Sequence, residues 1–141
     1  MLKVLIPVDG SENSLRSVAH AVTLARNSTA LSVELLHVHQ APSVREHAYR
    51  SHEQLEQIQH DETQQVLQPA QALLAAAGVA HTSASRAGDT AQAISDQARQ
   101  SECDMIVMGM RGMGFVLGPV SIGSVSSKVL HASEVPVTLV K

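Results

Sequence analysis

Five of the eight glycines in this 141-residue chain fall between Gly109 and Gly123. They follow a strand-like apolar run, Asp104-Met-Ile-Val-Met108. Glycine reaches positive φ at no steric cost and lets backbone come close to a ligand. A glycine-rich turn between a strand and a helix gathers N–H groups into a concavity that suits an anion. Gly109 and Gly112 permit a sharp exit from the strand. Gly123 and Ser124 stand at a helix start, where unpaired N–H groups and the helix dipole favour negative charge. The hydroxyls of Ser124 and Ser126 add two donors. Arg111, the one cation inside the segment, serves either as a phosphate contact or as a solvated loop residue. Lys128, one helical turn after Ser124, carries the same two readings. The pattern points to a held phosphate-bearing ligand. No general base stands near the loop, and no Ser-His-Asp arrangement can be defended from residue order.

Two other phosphate motifs fail. Gly118-x4-Gly123 has the spacing of a Walker loop, but Ser124 stands where the lysine belongs. A dinucleotide fingerprint belongs after the first strand, and Asp9-Gly10-Ser11 does not supply it. Eight histidines invite a metal reading. His37 and His39 share one face of a strand, but no third ligand accompanies them. His52, Glu56 and His60 lie on a polar helix and read as a solvated face. No metal site is expected.

Composition narrows the partners. Net charge is −3, and one Tyr, one Phe and no Trp leave almost nothing for bases to stack on. Nucleic acid is therefore excluded on electrostatic and stacking grounds. No apolar run approaches the roughly 18 residues of a membrane span. Cys103 is the only cysteine, so it forms no internal disulfide and reads as a buried strand residue in a reducing compartment. A cytoplasmic protein is expected. The 44% hydrophobic and 16% charged content fits one globular domain over residues 1–141.

The elements that position the glycines alternate. Leu2 to Val8 reads as a buried strand, broken by Asp9-Gly10-Ser11. Ser11 caps a helix with an apolar stripe of Leu15, Val18, Ala19, Val22 and Ala25. Leu31 to Val38 is a second strand. Val44 to Ala77 is helical, with Leu55, Ile58, Val66, Ala70, Leu73, Leu74 and Ala77 facing inward. Pro69 is expected to kink or split that helix. Gly78 ends it, and Val79 to Ala87 reads as an edge strand. Gly88-Asp89-Thr90 opens a helix through Ala91, Ile94 and Ala98. Cys103 to Met108 is the fourth strand. A helix starting at Ser121 or Gly123-Ser124 precedes a last strand, Val135 to Val140. Strict alternation implies an open α/β sheet of five parallel strands with helices on both faces. Ligands of such sheets bind beyond the strands' carboxyl ends, which here are the loops holding Asp9 and the glycines. Asp9 then meets a ligand or simply caps its turn.

At these residues the chain resembles the universal stress protein family. The resemblance rests on Pro7-Val-Asp-Gly-Ser11, Leu36-His-Val38, Gly109-x2-Gly112, Gly123-Ser124-Val125 and the closing Val135-Pro-Val-Thr-Leu-Val140, and it extends from Leu2 to Val140. It implies a sheet similar to that of adenine nucleotide α-hydrolases, with strand order 3-2-1-4-5. It implies binding of ATP, or of AMP or ADP, with or without Mg²⁺. Asp9, flanked by Pro7 and Val8, would meet the adenine, and the Val38 backbone would hold its edge. Gly109 would lie against the ribose, with Met108 and Arg111 beside it. Gly112, Gly123 and Ser124 would wrap the phosphates, followed by Val125 and Ser126. Most members are homodimers paired through the last strand, here Val135 to Val140. One departure stands out. The family usually has nine residues between the second glycine and the Gly-Ser pair; here Met113 to Ile122 makes ten and includes Pro119, which lacks an N–H. The reading that follows is a nucleotide-binding regulatory module of the stress response, without enzymatic turnover. Its alternatives are an interaction protein of the same fold with an unknown protein partner, and a slow ATPase.

Overall fold

The computed structural model describes residues 1–27, 30–111 and 122–141. Gly112, Met113, Pro119 and the suggested helix start at Ser121 lie outside the described residues. The elements run β1 (Leu2–Pro7), α1 (Glu12–Arg26), β2 (Leu31–His39), α2 (Val44–Tyr49), α3 (His52–Ala76), β3 (His81–Ala87), α4 (Thr90–Gln100), β4 (Met105–Gly109), α5 (Ser124–Ala132) and β5 (Val137–Val140). The five strands are parallel and ordered β3-β2-β1-β4-β5. This is the expected sheet, with β3 and β5 at its edges.

Strand alternation divides the core between the two faces. Val4, Ile6, Val33 and Leu35 pack with Val18, Val22, Leu67 and Leu74 of α1 and α3. Leu5, Leu36 and Ile106 pack with Ile94, Ala98 and Val129 of α4 and α5. No described helix is long and apolar enough to cross a membrane.

Four local expectations change. Helix α3 is not split at Pro69; the break falls at Arg50, before Ser51. Ser51 Oγ accepts from the Gln54 N–H at 3.1 Å, and Gln54 Oε1 accepts from the Ser51 N–H at 2.9 Å. This reciprocal capping box starts a new helix. Pro69 is exposed, as is Gln65, whose carbonyl loses its partner on the solvent side. The buried face of α3 is Leu55, Thr63, Leu67, Ala70 and Leu74, whereas Ile58 and Leu73 are more than two-fifths exposed. On α1, Ala19 is exposed and the polar residues Asn13, Ser14 and Ser17 are buried. They are hydrogen-bonded to backbone, which makes their burial affordable. Strand β5 begins at Val137, two residues later than expected, because Ser133 Oγ holds the Val135 N–H in a turn.

Cys103 is buried, as expected, but it precedes β4 rather than belonging to it. Its N–H donates to Ala98 at the end of α4, a closure that places Glu102 at φ 53°. Nearby, Glu34 is buried beside Lys3 and accepts from Gln97 Nε2 and Ser101 Oγ. Burial pushes the Cys103 thiol up to about 11 from 9.0; Glu34 adds to the rise, Lys3 opposes it and Asp104 adds a little. Two consequences follow from this one shift. At pH 8, alkylation of the native thiol should run about 100-fold slower than in urea-unfolded protein, because only the thiolate reacts. The unfolded thiol also ionises first, so stability should fall as pH rises from about 9 to about 11, as denaturant melts at either end of that window would register.

Candidate functional site

A cavity of about 340 Å³ opens beyond the carboxyl ends of β1, β2 and β4. Its walls bring together the sequence-selected residues Pro7, Val8, Asp9, Val38, Met108, Gly109, Arg111, Gly123, Ser124, Val125 and Ser126. Gly112 lies outside the described residues. Lys128 is exposed and does not line the cavity. Ser11, Ser14, Leu36, Thr90 and Ile94 also line it, and residue order alone does not single them out.

The lining mixes apolar and polar groups. Leu36, Val38, Ile94 and Met108, from the α4/α5 face of the sheet, and Val8, from the α1/α3 face, are apolar. Asp9 stands at the mouth of β1, where its Oδ1 accepts from the Ser11 N–H at 2.9 Å. The aspartate thus closes its own turn and also lines the cavity. Arg111 and the start of α5 line the end of the cavity beyond β4. Helices α1, α2, α3 and α4 each receive a side-chain cap, from Ser11, Ser43, Ser51 and Asp89. Helix α5 does not: its N-cap is Gly123, which has no side chain to offer. Its first-turn N–H groups and the dipole's positive end are therefore available to an anion.

The donor set is smaller than expected. The Gly123 N–H is committed to the Met110 carbonyl at 2.8 Å. Ser126 Oγ is buried and donates to the Gly109 carbonyl at 2.8 Å. Its hydroxyl proton holds α5 against the end of β4 and does not reach toward a phosphate. Ser124 is the exposed hydroxyl that remains at the helix start.

Asn13 sits beneath this end, 6% exposed and outside the cavity lining. Its Oδ1 accepts from the Arg111 N–H at 2.7 Å, and its Nδ2 donates to the Val140 carbonyl at 2.9 Å. A Cβ on Gly109 would stand 2.6 Å from Asn13 Oδ1 and 2.7 Å from its Cγ. Gly109 is therefore required by space.

The histidines take other places. His37 is buried, with Nδ1 3.2 Å from the Val8 carbonyl, and its ring centre lies 6.2 Å from that of His39. Among the described residues no group of three His, Cys, Asp or Glu side chains could hold a metal ion. His52 Nε2 lies 2.9 Å from Glu56 on an exposed helix face, a solvated pair.

A profile described as the universal stress protein family matches residues 1–141. The universal stress protein MJ0531 of Methanocaldococcus jannaschii is 30% identical over 139 residues, covering 99% of this chain and 81% of the relative. The universal stress protein YxiE of Bacillus subtilis is 29% identical, covering 99% and 98%. Among solved structures, hypothetical protein MJ0577 superposes with a TM-score of 0.82 at 25% identity, covering 99% of this chain and 94% of its own. Three others share the fold at lower identity. They are an Arabidopsis thaliana universal stress protein with AMP bound (TM-score 0.72, 20% identity, covering 100% and 92%), the Archaeoglobus fulgidus protein in complex with dAMP (0.71, 20%, 100% and 98%) and a universal stress protein in complex with cAMP (0.69, 22%, 99% and 96%).

Proposed function

The chain belongs to the universal stress protein family, and from that premise we propose that it binds an adenine nucleotide in the cavity beyond β1 and β4. The observation that carries this reading is the start of α5 at Gly123, without a side-chain cap, in a cavity that Arg111 and several apolar side chains also line. A flat base suits the apolar side chains of Val8, Leu36, Val38 and Met108. A phosphate suits the first turn of α5. The AMP, dAMP and cAMP complexes of family members with the same fold support the ligand class. At about 340 Å³ the cavity lies at the small end of ligand sites. That size favours the nucleoside and first phosphate as the enclosed part, with further phosphates and Mg²⁺ of an ATP or ADP reaching outward.

In this reading Pro7, Val8, Asp9 and Val38 serve the base. Met108 borders the base and Gly109 serves the sugar. Arg111, Gly112, Ser124 and Val125 form the phosphate end, while the Gly123 N–H and the Ser126 hydroxyl hold the start of α5 in place for it. The chain acts as one cytoplasmic regulatory domain and pairs with a second copy through β5, whose outer side meets no strand of its own sheet. Asp9 is the one carboxylate among the described cavity residues, and no histidine accompanies it. That supports a binding role over turnover, and steady phosphate release from ATP is not expected.

The test is a thermal melt with AMP, and with ATP and Mg²⁺, alongside native mass spectrometry. Ligand at 100 times its Kd should add about 2.7 kcal/mol of stability. No shift and no added mass would leave an interaction protein of the same fold.

A further inference from the structure

Asn13 bonds through both ends of its carboxamide to two elements other than its own helix. Arg111, on the cavity wall, receives one end; Val140, the last residue of edge strand β5, receives the other. The Val140 carbonyl also accepts from the Met110 N–H at 2.8 Å, and the Met110 carbonyl accepts from the Gly123 N–H at 2.8 Å. A line of bonds thus runs from the β5 edge through Met110 to the N-cap of α5, and Asn13 spans it from below. Arg16 Nε donates to the Lys141 carbonyl at 2.9 Å, so α1 holds the chain just past β5 a second time. There is no slack in this arrangement, because Gly109 packs directly on the Asn13 side chain. A carboxamide this deeply buried is costly unless both of its ends are paired. Displacing either partner leaves the end of the carboxamide that held it unsatisfied, and turning the rigid amide to find a new partner breaks the bond at its other end, so the two partners become energetically linked.

We infer that Asn13 is a positioning residue that couples the anion end of the cavity to the β5 edge, so that ordering the Gly109–Arg111 turn orders the end of β5, and the reverse. The ligand side of this inference rests on the nucleotide reading; the mechanical link does not.

Two measurements decide it. The first uses ligand-free protein and amide hydrogen exchange. Asn13→Ala should speed exchange of the Arg111 and Met110 amides by about tenfold, the scale of one lost hydrogen bond, while the central amides of β1 keep their protection. Asn13→Asp keeps an acceptor for Arg111 and loses the donor to Val140. It should loosen the β5 end and, through the link, also speed the Arg111 amide although its own acceptor remains, which keeps the test decisive if the alanine variant folds poorly; a loosened β5 end with an unchanged Arg111 amide overturns the coupling. Unchanged exchange at Arg111 in the alanine variant, or equal loosening of the whole sheet, overturns the inference.

The second measurement compares AMP with adenosine by calorimetry. Asn13→Ala should weaken AMP about tenfold and adenosine less than about threefold, because only the anion end loses its support. In the wild type AMP should also slow exchange within Val137–Val140, and in the variant it should not. Equal weakening of both ligands, or protection of β5 that survives in the variant, counts against the coupling. A wild type indifferent to AMP removes the nucleotide reading, and the ligand-free exchange result then settles the coupling by itself.

Discussion

Gly109→Val is expected to raise the Kd for AMP by about 100-fold, the scale on which roughly ångström-sized misplacement acts. Even the first added carbon would stand 2.6 Å from Asn13 Oδ1, with the Arg111 carbonyl 3.1 Å away. Asn13 cannot retreat, because it is pinned by Val140 and Arg111. The strand end must move instead, and it carries the Arg111 wall and the Ser126 contact with it. Overpacking of this kind should also cost about 1–3 kcal/mol of stability. Gly78→Ala is the control. Gly78 has φ +69° and open space around its Cα. Alanine there should cost about 1 kcal/mol through backbone strain and leave AMP affinity unchanged. Calorimetric titration and urea melts of both variants separate a loss of shape at the site from a loss of stability. If Gly109→Val binds AMP as the wild type does, the ligand does not use this end of the cavity.

Leu36→Ala is expected to cost about 2–5 kcal/mol, the largest stability loss among the substitutions considered. Leu36 is fully buried in the core with Leu5, Ile94 and Ile106, and it also lines the cavity. Truncation therefore removes core contacts and opens a void that meets the ligand site. The comparison is Ile58→Ala on α3. Ile58 is 41% exposed, and its loss should stay near 0.5 kcal/mol. Urea denaturation curves read both values. Similar losses at the two positions would mean that β2 is not the centre of the core.

Ile58 also shows why part of the fold is not legible in sequence. Apolar spacing of three and four residues correctly makes α3 a helix, but it does not fix which of several overlapping stripes meets the sheet. The sheet chooses the stripe through Leu55, Thr63, Leu67, Ala70 and Leu74, leaving Ile58 and Leu73 at its margin. Pro69 misleads for a related reason: its missing N–H matters only if the orphaned carbonyl is cut off from water. The parallel sheet with helices on both faces, by contrast, is readable from the alternation of strands and helices, whereas the order 3-2-1-4-5 is implied only by the resemblance to the family. The cavity is readable for the same reason. Loops after β1 and β4 must meet at the strands' carboxyl ends, so Asp9 and Gly109 are placed by topology. Asn13 is not. A polar residue in the first turn of an amphipathic helix reads as outward-facing, and its partners lie 98 and 127 residues away. Ser126 fails in the opposite sense. Its position near a helix start reads as a phosphate donor, while its hydroxyl is spent on Gly109.

The single backbone bond between Met110 and Gly123 works as a clasp on the chain between them. With Met110 fastened to β5 and Gly123 fastened to Met110, the start of α5 is set by the framework and not by the path that leads to it. Doubling such a span costs only about 0.6 kcal/mol of closure entropy, so one residue costs far less. Length between these two anchors is a free variable, open to evolutionary drift or to a grafted peptide, while the geometry on either side stays in register.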